Sequence, residues 1–335
     1  TQALVAIDGS KFKAVNNRDK NFTAGKLKRR LAEIDASIAG YLAALDSADR
    51  AEPAVAPLKK GHLQGKIEAL KEQMRALQAV EDKLQASPES QVSLTDPDAR
   101  SMKNRDGGIV GYNVQTAVEA EHHLIVAHEV VTDGIDRDQL APMAERAREA
   151  TGIDALTVVA DRGYFKSEQI RHCDEAGITP IVPKPLTSNA GAEGRFDKRD
   201  FIYIARDDEY RCPAGERAIF RFATIENGLT LRKYWSSACP RCPLKAQCTT
   251  SSYRRIARWE HEAVLEAMQR RLDRQPELMR LRRCTVEHPF GTIKQWMGWT
   301  HFLMRTLAHV RTEMSLHVLA YNLKRVMRIL GIAPL

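Results

Sequence analysis

Two acidic residues, far apart in the chain, each close a strand-like run. Ala3-Leu4-Val5-Ala6-Ile7 leads into Asp8-Gly9, and Leu156-Thr157-Val158-Val159-Ala160 leads into Asp161-Arg162-Gly163-Tyr164. Loops diverge at the carboxyl ends of strands in an open α/β sheet, and the crevice left there collects ligands and catalytic groups. Two carboxylates delivered by two strands of one sheet can therefore share a cation. Neither acid is flanked by His or Cys at ligand spacing, so the donors are hard oxygens, which suit Mg²⁺ or Mn²⁺ rather than zinc. Either acid alone reads more readily as a turn residue, but a third segment shifts the balance. Arg283, Glu287 and Lys294 are spaced by four and seven, which puts them on one helical face. Val286, Phe290, Ile293 and Met297 form an adjacent apolar stripe, predicting that the helix packs on a sheet. Pro289 has no backbone donor, so a kink or a fresh helix start is expected near Glu287. In isolation this charged face reads as solvated surface. Among rivals for the first acid are Asp96 and Asp98 in a loop and Glu119 at a strand end; Asp8 is preferred because it lies on the first strand.

A second constellation is made of sulfur. Cys212, Cys239, Cys242 and Cys248 fall close together, and the first three are each followed by Pro. Cys239 and Cys242 have the two-residue spacing of a zinc knuckle, and four thiolates from two segments can hold structural Zn²⁺ tetrahedrally. The five-residue gap before Cys248 is wider than usual, so zinc and plain reduced cysteines both stand as readings. Cys173 and Cys284 read as isolated thiols. His122, His123 and His128 lack a second ligand pair and read as structural. Trp259, Trp296 and Trp299 read as packing residues, with base stacking as the alternative.

The elements that must carry these residues follow from periodicity. Leu27, Leu31, Ile34, Ile38, Tyr41 and Leu45 predict a helix over 24–46, and Leu63, Ile67, Leu70, Met74, Leu77 and Leu84 another over 62–86. A break around Pro53, Pro57 and Gly61 makes them an antiparallel hairpin. Residues 87–108 read as loop, Tyr112–Val118 and Leu124–Val131 as strands, and Leu140–Ala150 as a helix closed near Gly152. A buried strand at 156–160, a helix at 167–176 and a strand at 179–182 follow. This order describes a mixed α/β sheet with helices on its faces. The expected organisation is a core over 1–186 with a helical insertion at 20–108, a cysteine-containing β-rich insertion at 187–253, and a basic helical part over 254–335. The last also contains an apolar-periodic helical region from Leu303 to Ile329.

Composition sets the limits. The chain has 335 residues, 43% hydrophobic, with a formal net charge of +8. That excludes a disordered polycation, and no run of about 18 apolar residues exists to span a membrane. No secretory signal opens the chain, and six unevenly spread cysteines do not make a secreted disulfide scaffold, so a reducing compartment is expected. Residues 254–335 hold 15 Lys+Arg against 7 Asp+Glu, while the rest of the chain is balanced. A basic excess confined in this way fits a polyanion, most often nucleic acid, or a solvated helix face. The chain starts on Thr1 within a strand-like run, which suggests processing or a missing upstream segment.

Four blocks together resemble the DDE transposases of bacterial insertion sequences: Ile7-Asp8-Gly9-Ser10-Lys11, Gly111 to Val118, Val159-Ala160-Asp161-Arg162-Gly163-Tyr164, and Arg283 to Lys294. They occur in the family's order and cover essentially the whole chain. The resemblance implies an RNase H-like fold and Asp8, Asp161 and Glu287 as the catalytic, metal-binding triad. Arg283, Glu287 and Lys294 match the spacing of a tyrosine, arginine, glutamate and lysine signature, but Arg280 stands at the tyrosine position. The resemblance further implies two Mg²⁺ (or Mn²⁺) ions clamping an in-line phosphoryl displacement, with Asp8 bridging both. A cut element end would attack target DNA, while Arg280, Arg283 and Lys294 contact DNA. A homodimer assembled on DNA, a cytoplasmic, nucleoid-associated bacterial location and a missing N-terminal region are also implied. Two other readings stay open: an inactive DNA-binding remnant, and a nuclease of the same fold that cuts without joining strands.

Overall fold

A computed structural model describes residues 3–16, 18–48, 56–86, 91–104, 107–185 and 189–331. Expectations falling on Thr1, Pro53, Pro88, the boundary at 186–187 and the last four residues lie outside the described residues. In chain order the elements begin with β1 (Ala3–Lys13), β2 (Asn21–Thr23), α1 (Ala24–Ala48), α2 (Ala56–Ala86), β3 (Gln91–Ser93), β4 (Arg100–Asn104), β5 (Gly107–Glu119) and β6 (Ile125–Val131). Next come α3 (Leu140–Thr151), β7 (Leu156–Val159), α4 (Ser167–Glu175), β8 (Thr179–Ile181), β9 (Ile202–Ile204), β10 (Glu209–Arg211), β11 (Arg217–Glu226) and β12 (Leu229–Trp235). The chain finishes with β13 (Ile256–Trp259), α5 (Glu262–Arg274), α6 (Leu278–Gly291) and α7 (Leu307–Leu330). A six-stranded mixed sheet has the order β4-β5-β1-β7-β8 with β6 also on β5, and β9 to β13 form a second, five-stranded sheet. The residues divide into two compact units, one of 1–8, 117–121 and 136–286, the other of 9–116, 122–135 and 287–335.

In the first unit, β1 and β7 run parallel, with Ala3 opposite Leu156 and Ala6 opposite Val159. β8 extends the parallel set, with Val159 opposite Ile181. All four residues of β7 are buried, as a continuous apolar run between two neighbouring strands requires. Ala6, Val159, Ile181 and Val286 form a buried cluster, joined by Leu4, Leu272, Leu278 and Met279. α5 and α6 therefore cover the face of the sheet that Ala6 and Val159 present. α3 stops at Gly152, whose φ of 64° is the left-handed cap conformation glycine adopts freely. The second sheet is closed by Phe201, Tyr210, Ala218, Tyr234 and Ile256. Its last strand, β13, pairs with β12 from Leu231–Trp259 to Tyr234–Ile256, so the β-rich part continues past residue 253.

In the second unit, α1 and α2 pack through Leu27, Ile34, Leu77 and Val80. Early residues of α1 meet late residues of α2, which makes the expected antiparallel hairpin. Pro57 and Gly61 lie inside α2 instead of breaking it; Pro57 is its second residue, where a helix needs no backbone donor. The segment 87–108, read as loop, contains β3, β4 and the start of β5. β4 pairs antiparallel with β5, and its polar sequence suits its place at the sheet's edge. Gly111 is required by packing: a Cβ there would lie 1.9 Å from the Phe12 carbonyl oxygen. Glu313 of α7, nearly buried, accepts hydrogen bonds from the Trp299 indole (3.1 Å) and the Leu303 (2.9 Å) and Met304 (2.9 Å) amides. It thereby fixes the loop before α7, which begins at Leu307 rather than Leu303.

Candidate active site

The register of β1 and β7 explains how the two acids come together. Ala6 and Val159 are the last registered pair, and Asp8 and Asp161 each lie two residues further. Side chains alternate with a period of two, so both acids project on the face of Ala6 and Val159. The backbone of Asp161 remains extended (φ −81°, ψ 176°), and its Oδ1 accepts the Gly163 amide at 2.7 Å. On the covering helix, Leu278, Arg282 and Val286 are spaced by four, which aligns them on one stripe. Leu278 and Val286 pack in the core cluster, and Arg282 reaches the acids. Its Nη2 lies 2.6 Å from Asp8 Oδ1 and 3.9 Å from Asp161 Oδ2. The three side chains are 13%, 23% and 47% exposed respectively, so the arginine is the most enclosed and Asp161 the most open to solvent.

Tyr164 lies fully buried beside this group. Burial first, then the charges of Asp136, Asp8 and Asp161, hold its hydroxyl well above the usual phenol range, with Arg282 opposing them. The hydroxyl stays protonated next to the carboxylates. Asp136 is a third acid in this neighbourhood: a Cβ at Gly163 would stand 2.9 Å from Asp161 Oδ1 and 3.9 Å from Asp136 Oδ2.

The remaining candidates are placed differently. Glu287 is exposed and belongs to the second unit. Arg280 and Arg283 are exposed on α6. α6 continues through Pro289 without the break expected near Glu287, and the irregularity comes later, as a π-helical turn over Thr292–Trp296. A π turn has a wider period than an α turn, so Lys294 leaves the phase predicted by α-helical spacing. Its ammonium donates to Ser10 Oγ (2.7 Å) and the Lys11 carbonyl (3.0 Å) and sits 4.2 Å from the Phe12 ring centre. Burial lowers its pKa. The rival acids have structural partners. Asp96, fully buried, accepts from Tyr112 Oη (2.8 Å) and the Thr306 amide (3.1 Å), and Asp98 accepts from the Leu307 amide (2.8 Å). Both acids thus hold the start of α7. Glu119 accepts the Glu121 amide in a turn. Trp259 and Trp299 are buried packing residues, while Trp296 is exposed.

The four clustered cysteines line one cavity of about 30 Å³ with Phe201, Ala218 and Leu244. Burial pushes the Cys248 thiol up, Arg254 pulls it down, and the charges of Cys239, Cys212 and Cys242 push it up again. The fold therefore gathers the quartet that the spacing suggested. Among the described residues, however, no group of three or more His, Cys, Asp or Glu side chains stands ready to hold a metal ion. Cys173 is buried, its thiol pushed up to about 12 by burial, and Cys284 is exposed.

Arg282, Tyr164 and Asp136 were not singled out by the sequence reading. The signal for Arg282 was available: it is a charged residue at the middle of an otherwise apolar stripe, between Leu278 and Val286. Tyr164 closes the Val159–Tyr164 block, which marks it without showing its contact with the acids; Asp136 carries no comparable signal, because its place is set by the fold.

A mixed sheet flanked by helices, with two carboxylates at the ends of adjacent parallel strands, defines the class as an RNase H-like α/β domain. The family model for the transposase DDE domain matches residues 79–323, and the chain belongs to that family. No curated protein and no solved structure matches it. Asp161 and Glu287 fall inside the matched span, and Asp8 lies before it.

Proposed function

We propose that this transposase chain cleaves DNA strands at element ends and joins them to target DNA, with Asp8, Asp161 and Glu287 as its acidic residues. The observation that carries this reading is the juxtaposition of Asp8 and Asp161, each two residues beyond the last registered pair of β1 and β7. Their oxygen donors fit a hard divalent cation, Mg²⁺ or Mn²⁺, and Asp8 and Asp161 would hold it. A bound cation would polarise the phosphodiester and its attacking oxygen. Gly163 orients the Asp161 carboxylate through its amide. Arg280 and Arg283, exposed and without an ion pair among the described residues, supply positive charge for phosphates. Pairing of two copies on DNA is supported by Leu316, Leu319, Leu323 and Leu330, which are exposed on α7. Zinc at the cysteine quartet would need at least three of its thiols to come within reach of one ion. About one zinc per purified chain would support that site, and its absence would remove it.

The test uses a labelled duplex carrying the DNA that flanks the chain's own gene, with a supercoiled plasmid as target. Asp8→Asn, Asp161→Asn and Glu287→Gln should each abolish Mg²⁺-dependent cutting and joining while melting cooperatively. Undiminished cleavage by Asp8→Asn or Asp161→Asn would overturn the reading of this pair. Cutting without joining in the native chain would favour a nuclease.

A further inference from the structure

Arg282 stands where a metal-dependent site would hold its cation, and it is held there by charge more than by directed hydrogen bonds. Its Nη2 is 2.6 Å from Asp8 Oδ1 and 3.9 Å from Asp161 Oδ2. Yet Arg282 Nε and Nη2 are buried without a hydrogen bond of proper geometry. Two other arginines of the same unit form directed bonds to their acids, whereas Arg271, 3.6 Å from Asp174, shares with Arg282 a buried nitrogen without a partner. Arg199 donates from Nε and Nη2 to Asp197 (3.1 and 2.8 Å), and Arg217 Nε donates to both Glu209 oxygens (2.7 and 2.6 Å). Arg282 is therefore held by charge and by the apolar stripe of α6, not by a satisfied fork of hydrogen bonds. A buried donor left without an acceptor is costly, which makes this the weakest-anchored part of an otherwise close contact.

Charge balance explains why such a residue is present. Asp8 and Asp161 project on one face from adjacent parallel strands, and two carboxylates so placed repel each other without a countercharge. One guanidinium cancels half of their joint charge; one divalent cation would cancel all of it.

We propose that Arg282 is a built-in placeholder cation, which clamps Asp8 and Asp161 together in the metal-free chain and gives way when a divalent ion enters. This rests on the reading of Asp8 and Asp161 as metal ligands. Arg282 is a positioning residue under this assignment. It keeps the two carboxylates aligned, and by competing with the metal it raises the concentration needed for loading.

The experiment is a Mg²⁺ titration of the full chain followed by thermal melting, without DNA. The variants are Arg282→Met, which suits the apolar stripe, Arg282→Gln, which covers the case that Met fails to fold, Arg282→Lys and Asp8→Asn. Without Mg²⁺, the Met and Gln variants should melt below the native chain. Their half-saturating Mg²⁺ concentration should fall by on the order of ten-fold, because the competing charge is gone. Arg282→Lys should restore a midpoint close to native, and Asp8→Asn should abolish the Mg²⁺-induced rise in melting temperature. An Asp8-dependent rise with the same midpoint in native, Met and Gln chains would overturn the placeholder role alone. A rise that survives Asp8→Asn, or no rise in any chain, would overturn the metal-ligand reading and the placeholder with it.

Discussion

Gly163→Ala is the smallest change that separates position from presence at this site. The substitution leaves every candidate acid in place and asks only whether the Asp161 carboxylate must stand where it does. The added Cβ would lie 2.9 Å from Asp161 Oδ1, where ordinary contact begins at 3.4 Å. The oxygen must therefore retreat by roughly 0.5 Å, or the side chain must rotate out of its present position. The atom in the way is the end of a side chain, and Gly163 does not have the left-handed backbone that only glycine tolerates, so the fold should absorb the change for less than about 1 kcal/mol. Catalysis should not: displacements of this order at reacting groups cost about 10- to 100-fold in rate. The assay is Mg²⁺-dependent cleavage of the labelled flanking-DNA duplex, with melting temperature measured on the same preparations. Gly191→Ala is the control, because a Cβ there meets nothing within 4 Å. A Gly163→Ala chain that cleaves within about two-fold of native would refute the claim that the Asp161 carboxylate is held in a productive position.

Three further outcomes follow from the geometry. Glu313→Ala leaves the Trp299 indole and the Leu303 and Met304 amides without their acceptor, and should cost about 3–5 kcal/mol in urea unfolding; a loss under about 1 kcal/mol would mean that water replaces the carboxylate freely. Gly111→Ala meets a backbone oxygen at 1.9 Å, which cannot swing aside, so it should cost about 2–4 kcal/mol or prevent folding; an unchanged melting temperature would refute the close approach of Phe12. Arg280→Gln with Arg283→Gln should lower the slope of log affinity against log salt by about 1.8 for duplex DNA and leave the Mg²⁺ midpoint unchanged; an unchanged slope would remove both residues from the DNA contact.

The sequence carried the acid pair because strand ends are local signals. Alternation and β-branched runs located β1 and β7, and the parallel register then brought Asp8 and Asp161 level without further information. The arginine beside them was harder to find. The spacing of Arg283, Glu287 and Lys294 directed attention to one face of α6, whereas the contact with the acids comes from Arg282, which sits with Leu278 and Val286. The apolar stripe that starts at Val286 does mark the side that meets the sheet, since Val286 packs there, but Arg282 lies one turn before the first residue of that stripe. Lys294 escaped for another reason: the π turn after Pro289 changes the angular step, so seven residues no longer return to the same side. β4 went unread because Arg100-Ser101-Met102-Lys103-Asn104 has the polar composition of a loop. Its strand character comes from pairing with β5, the strand that follows it, and not from its own composition. The cysteine spacing points to four thiols lining one cavity, but not to whether they can share an ion.

The basic excess of residues 254–335 is not a uniform coat. Arg258 pairs with Glu266, Arg271 with Asp174, Arg282 with Asp8 and Arg311 with Glu129, and Lys294 turns inward to Ser10. These five charges are engaged within the fold or with the acid pair, and so are not free to meet a phosphate in this arrangement. Arg280 and Arg283 differ: they are exposed and have no such partner among the described residues. Arg282 and Arg283 are neighbours in sequence, yet one residue of α-helix turns the side chain by about 100°. That single step separates a cation facing two carboxylates from a cation facing solvent. Neutralising bases by number would therefore mix three effects that the helix keeps apart. Measuring the Mg²⁺ midpoint, the salt slope and the melting temperature on the same variants resolves them, because Arg282 variants should move the midpoint and the melting temperature, Arg280 and Arg283 variants the slope alone, and the other paired bases the melting temperature alone.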